Sequence, residues 1–356
     1  VLSHFANHTY VVDSKIKKAK NLEDLKDSSK DLINIISSLH AKGVKVNHIS
    51  NLIGQLNTKV YQKLYELILP KELRNDACFI VMGSEGRNEQ IIKTDQDNAL
   101  VIKDGIEVEQ YKFYMNEITK NLIDFGYPIC EGNIMVSNPF WCKTVNEYKN
   151  ETARWIEAPG IQNYMDLAIF FDSFAVAGNK ELLINLKDNL FNKLHDKDVF
   201  MAYFAKATLA FDTPNTVTNI MTKSHIIDIK KTAVFPIVQG IRSLALKEKI
   251  RETTTIKRIK ILENRKVLEK DKAAELLEAF DFVNTIRLKS QLFDIQHGKK
   301  ITNEIDTHTL GKIERDLLKD SFKIINEFKR FISYTFRIDR ISWYLILYLK
   351  IGIKKN

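Results

Sequence analysis

A chain of 356 residues, 44% hydrophobic and 28% charged, has room for two or three domains with buried cores, and this composition excludes a disordered or fibrous chain. Its net charge of +9 is uneven: residues 221–356 hold 29 of the 54 basic residues and only 17 of the 45 acidic ones. An acidic first part beside a basic second part suits an anionic ligand shared between them, or simply a solvated basic helical surface.

Cys78, Cys130 and Cys142 lack metal-ligand spacing and cannot complete a disulfide set, which points to a reducing, cytoplasmic setting. The opening at Val1 shows no signal-peptide pattern and is the one expected of a fragment.

Taken in chain order, residues 22–69 read as helices. Leu25, Leu32, Ile35, Ile36 and Leu39 form one stripe before Gly43, and Ile49, Leu52, Ile53, Leu56, Val60, Leu64 and Leu67 form another before Pro70. From Ala77 the pattern changes. "ACFIVMGS" and "NALVI" are short continuous apolar runs that predict buried strands. Val108, Tyr111, Met115, Ile118, Leu122 and Phe125 predict a helix closed by Gly126, and "PICEGNIMVS" (128–137) predicts a third strand. Beyond about residue 150 strand signals vanish. Helices are expected over 271–298 and again from Leu310, the latter with Ile313, Leu317, Ile324, Phe328 and Phe331 on its apolar face. The tract "ISWYLILYLKIGI" (341–353) is too short to span a bilayer and is expected to pack on a helix or a partner. The divisions expected are therefore helices over 1–70, a mixed α/β domain over 71–180, a helical domain over 181–340 and a tail over 341–356.

The chemistry concentrates in "FIVMGSEGRNEQIIKTDQDNALVI" (79–102). Gly83, Ser84 and Gly86 follow a strand, where backbone amides free of Cβ interference converge on an anion, and Arg87 can add a fork of donors to a phosphate. Asp95 and Asp97 lie eleven and thirteen positions after Ser84, at the start of the next strand. In an extended chain, residues i and i+2 share a face, so both carboxylates can meet one cation. Hard divalent ions such as Mg²⁺ or Mn²⁺ bridge such carboxylates to substrate phosphates.

This stretch resembles a family of nucleotidyltransferases that accompany CBS and cyclic-nucleotide-binding domains in bacterial proteins, within the polymerase-β-like superfamily. Its signature is matched by Gly83, Ser84, Gly86, Arg87, Glu89 and Gln90, then by Thr94 through Leu100. The likeness continues through "SNPFW", "ARWI" and "IFFD", and through "DIKKTAVFPIVQGIRSLAL" and "RLKSQL", which are similar to the family's helical substrate-binding domain. Related enzymes uridylylate a signalling protein or adenylylate glutamine synthetase. The resemblance implies an α+β fold made of N-terminal helices, a small mixed-sheet nucleotidyltransferase domain and a C-terminal helical bundle. It also implies transfer of a nucleoside monophosphate from a nucleoside triphosphate to a protein acceptor, in a signalling context.

Asp95 and Asp97 are then the catalytic and metal-holding residues, with Gly83, Ser84, Gly86 and Arg87 at the nucleotide. Relatives with full activity carry a third carboxylate on a later strand. Glu131 and Asp172 are the candidates here, although a solvated Glu131 and an ion-paired Asp172 fit equally well. Lys230, Lys231 and Arg242 are candidate substrate contacts. Asn98 can support the metal site or cap its turn, and Trp141 and Trp155 can stack a base or fill a core. A non-catalytic nucleotide sensor is the alternative function. Nucleic acid is disfavoured as a partner, since the basic residues are not interleaved with stacking aromatics.

Overall fold

Asn21 opens the first strongly capped helix, its side chain accepting the Asp24 amide. In the computed structural model, which describes residues 2–158, 160–214 and 225–340, helices α1 (Leu2–Lys18), α2 (Leu22–Lys30), α3 (Leu32–Ala41) and α4 (Val46–Ile68) lead into the sheet. They lie in one compact unit with it, Val1–Lys193, followed by a second unit, Leu194–Asn356. The apolar tract over 341–353 lies outside the described residues.

In the first unit, strands β1 (Ala77–Val81) and β2 (Asn98–Ile102) are buried at every position, which is why each reads as a continuous apolar run. They pair antiparallel from Ala77↔Ile102 to Val81↔Asn98. Two further strands complete the sheet in the order β3-β2-β1-β4: β3 (Cys142–Thr144), parallel to β2, and β4 (Phe174–Gly178), antiparallel to β1. Between them run a one-turn helix α5 (Gly83–Gly86), then α6 (Glu109–Asp124), α7 (Val145–Glu157) and α8 (Ile161–Phe171), with α9 (Lys180–Lys193) after β4. Helix α7 begins at a capping box formed by Thr144 and Glu147.

Two expectations are corrected here. Residues 128–137 do not form a strand. A turn over Cys130–Asn133, with Asn133 at φ 54, breaks the run, and a single Asn98 N–H to Ile134 carbonyl bond replaces a ladder. The third strand is instead the three-residue β3. Strands also occur beyond residue 150. β4 is a half-exposed edge strand fused in sequence to the apolar end of α8, so its short run reads as more helix.

The second unit is a helical bundle with a two-stranded ribbon. It contains α10 (Asp198–Lys206), β5 (Ile226–Asp228), α11 (Phe235–Lys247), α12 (Thr255–Asn264), α13 (Lys270–Gln296), β6 (Glu304–Asp306) and α14 (Lys312–Thr335). Helix α11 is buried from Pro236 to Leu246, as a central helix must be. The bundle closes tightly on it: a Cβ at Gly240 would lie 2.5 Å from a Phe328 ring carbon. The apolar face expected on α14 holds at Phe328 but is otherwise turned. Leu318, Phe322, Ile325, Phe328 and Ile332 point inward, while Ile313, Leu317 and Phe331 are exposed. Adjacent apolar pairs such as Leu317–Leu318 and Phe331–Ile332 give two stripes, and spacing alone does not choose between them.

Candidate active site

Strand pairing brings the ends of the signature stretch together. Below the Val81↔Asn98 pair, the Met82 N–H donates to the Asp97 carbonyl at 2.8 Å, so residues 82–97 form a closed loop at one end of the central strands. Gly83 opens α5 at φ 54, a left-handed conformation suited to glycine. A Cβ there would lie 2.2 Å from Asp97 Oδ2. The Asp97 carboxylate therefore rests directly on the turn.

Gln90 ties the other acid to the same turn. It accepts a long 3.4 Å bond from the Ser84 hydroxyl, and its Nε2 donates to the Asp95 carbonyl at 2.8 Å. Side chains alternate along the acid arm. Gln96 and Asn98 are buried, whereas Asp95 and Asp97 are partly exposed, so the two acids occupy the outward face. The inward amides anchor that arm: Gln96 Nε2 donates to the Tyr127 carbonyl, Asn98 Nδ2 donates to Gln96 Oε1, and Asn98 Oδ1 accepts the Val136 amide. Asn98 thus serves as a scaffold residue.

Several expected contacts fall elsewhere. Arg87, expected on a phosphate, is turned inward; its guanidinium donates to Glu89 Oε2 and to Asp172 Oδ2, both at 2.7 Å. Asp172 is fully buried in that pair, so neither residue faces the acids' open side. Gly86 has a packing reason: a Cβ there would sit 2.2 Å from the Asp172 carbonyl oxygen. Glu131 is exposed on its turn. Trp141 and Trp155 are core residues, clustered with Phe140 and Phe170. In the second unit, Lys231 pairs with Asp228, Lys230 is half-buried, and Arg242 is buried and donates to Gln239 Oε1.

Sequence reasoning missed two groups beside the acids. Cys130 Sγ donates to Asp97 Oδ1 at 3.1 Å, and burial, reinforced by Asp97, pushes its thiol up to about 12, so it stays a donor. Glu85 is 4% exposed, and its Oε2 has no hydrogen-bond partner. Burial, with Asp95 and Asp97 adding to it, pushes the Glu85 carboxyl up to about 8 against the opposing hydrogen bond from Asn57. The neighbouring Lys93 is held down to about 8 by burial. Its ammonium donates to the Ser29 carbonyl and hydroxyl and to the Phe125 carbonyl.

Among the described residues, no cluster of three or more His, Cys, Asp or Glu is placed to hold a metal alone. The donor set fits a shared cation instead: the outward carboxylates of Asp95 and Asp97 would supply hard oxygens to a divalent ion also bound by a ligand's phosphates.

Two family models match the chain. Residues 30–162 match Putative nucleotidyltransferase DUF294, and residues 198–336 match Putative nucleotidyltransferase substrate binding domain. By these matches the chain joins a nucleotidyltransferase-family domain to that family's substrate-binding domain, in the α+β architecture the signature stretch implied. No curated protein matches it. Among the described residues, no helix is long and apolar enough to cross a membrane.

Proposed function

We propose that this protein transfers a nucleoside monophosphate from a nucleoside triphosphate to a hydroxyl of a protein acceptor, in bacterial signal transduction. One observation supports the reading: the Asp97 carboxylate lies against Gly83 at the start of the Gly83–Ser84 turn, so an acid able to hold a cation sits beside amides able to bind phosphate. The turn's amides and the Ser84 hydroxyl hold the triphosphate. Asp95 and Asp97 would hold Mg²⁺ or Mn²⁺, whose charge, when bound, would offset that of the phosphates. The acceptor oxygen forms a bond to the α-phosphorus as the bond to pyrophosphate breaks, and the hydroxyl proton leaves to solvent. Positioning and charge neutralisation supply most of the acceleration in such chemistry. The match of residues 198–336 to a substrate-binding domain supports a role for that unit in acceptor binding. Cys78, Cys130 and Cys142, free and buried, fit the cytoplasm.

The experiment is transfer of α-labelled nucleotide into protein, with wild type and an Asp95→Asn/Asp97→Asn variant. Loss of labelling in the variant at an unchanged melting temperature supports the reading. Equal labelling by both would remove it. A second reading, a nucleotide sensor without turnover, draws on the other nearby acids: Asp172 is committed to Arg87, and Glu85 is buried and proton-bearing. Calorimetric binding of Mg-nucleotide with no transfer to any acceptor in a broad screen favours the sensor.

A further inference from the structure

Helix α4 is apolar along Ile49, Ile53, Leu56, Val60 and Leu64, yet a second buried stripe beside it carries the small or polar Ser50, Gly54 and Asn57 before Tyr61. These positions share one helix face. That face meets the nucleotide turn. The Ser50 hydroxyl donates to the Asn88 carbonyl. A Cβ at Gly54 would lie 2.3 Å from Asn88 Oδ1 and 2.8 Å from its Cγ, so Gly54 is a socket for the Asn88 side chain. Asn88 itself sits at φ 58, a left-handed conformation that asparagine adopts more readily than most other side-chain-bearing residues. Asn57 accepts the Tyr127 hydroxyl at 2.9 Å and lies close enough to the Glu85 carboxyl to favour its ionised form.

Glycine is disfavoured inside a helix, and buried polar groups are costly unless paired. A helix that only filled a core would carry neither at these positions. We propose that α4 is a positioning element of the nucleotide site: Gly54, Ser50 and Asn57 hold residues 83–90 in the curl that binds phosphate. Glu85 and Asn88 are the two handles by which they do so. The proposal rests on reading that turn as the nucleotide site, and the test separates the two ideas.

The test uses the full chain and three variants: Gly54→Ala, Gly54→Ala with Asn88→Gly, and the exposed-face control Asn51→Ala. Backbone hydrogen exchange over residues 83–90 is measured without ligand. Affinity is measured for each of the four ribonucleoside triphosphates with Mg²⁺. Alanine favours the helix but pushes Asn88 out of its socket. In Gly54→Ala the turn should therefore exchange at least tenfold faster, and affinity for the nucleotide that wild type binds should fall at least tenfold, while Asn51→Ala matches wild type. The double variant removes the colliding side chain and places glycine where φ is positive, so it should regain turn protection and affinity to within a few-fold. Ser50→Ala, which removes only a hydroxyl, should shift both readings the same way by less, and it serves if Gly54→Ala does not fold. Unchanged exchange and affinity in Gly54→Ala, or a double variant no better than the single, overturns the positioning role. Faster exchange in Gly54→Ala, in a protein whose wild type binds none of the four nucleotides, overturns the nucleotide reading instead and leaves the mechanical link between α4 and the turn standing.

Discussion

Glu85 loses its proton near 4.5 in an unfolded chain but near 8 in the folded one. Between those values the folded state keeps a proton that the unfolded state has released, so stability falls as pH rises through the window. A Glu85→Gln variant lacks this dependence. Relative to wild type it should gain nothing below pH 4 and on the order of a few kcal/mol by pH 8, at about 1.4 kcal/mol per pKa unit. Urea denaturation at pH 5, 6.5 and 8 measures the difference, and parallel profiles would mean that Glu85 is ionised in the fold. Lys93 acts with the opposite sign and at higher pH: held to about 8 against 10.5, it makes stability rise with pH only between those values. Gly83→Ala combines two injuries, a left-handed φ and a methyl placed on the Asp97 carboxylate. It should cost about 1–2 kcal/mol in stability and weaken Mg-nucleotide binding roughly tenfold or more, equivalent to at least about 1.4 kcal/mol in affinity. Calorimetry and thermal melts resolve the two effects.

At the scale of elements, Arg87, expected at a phosphate, is held in ion pairs with Glu89 and Asp172. Its bond to Asp172 fastens the end of α5 to the end of α8, with Asp172 wholly buried. Asp172→Ala leaves the guanidinium without that partner and should destabilise the first unit by about 3–5 kcal/mol. In a urea titration, an Arg87→Met/Asp172→Leu double variant should be more stable than Asp172→Ala. A single variant that melts like wild type would show the pair to be dispensable. Sequence alone could not see this pair, because its members are separated by the whole domain. It did reveal β1 and β2, whose burial on both faces leaves unbroken apolar runs, and α13, whose Leu276, Phe280, Val283, Leu288 and Leu292 recur at roughly helical intervals and are buried. It missed β4 because an edge strand next to an apolar helix end has no alternation to display, and it misplaced the buried face of α14 because two stripes compete. The polar stripe of α4 was visible as Ser50, Gly54 and Asn57 among aliphatics, but only the partner residues Asn88 and Glu85 give it meaning.

For the whole molecule, the division at Lys193–Leu194 carries the heaviest consequence. The first unit holds the turn, both acids and α4, together with its own core around Phe79, Leu100, Tyr61 and Tyr127. Residues 1–193 expressed alone should melt cooperatively and bind Mg-nucleotide within a few-fold of the full chain, yet lose transfer to the acceptor. Circular dichroism, calorimetry and the labelling assay report on each, and a fragment that binds nothing would place part of the nucleotide site in the second unit. The clasp between Met82 and Asp97 has a broader implication. Because the positions just beyond one hairpin's last pair close the ring, the loop that carries both acids is shut by its own two strands, and α4 acts on the curl within it rather than on its closure. Insertions between the outlying helices can change what approaches this loop while leaving its closure intact. One residue added between Asp97 and Asn98, with β2 kept in register, would turn both acids toward the core.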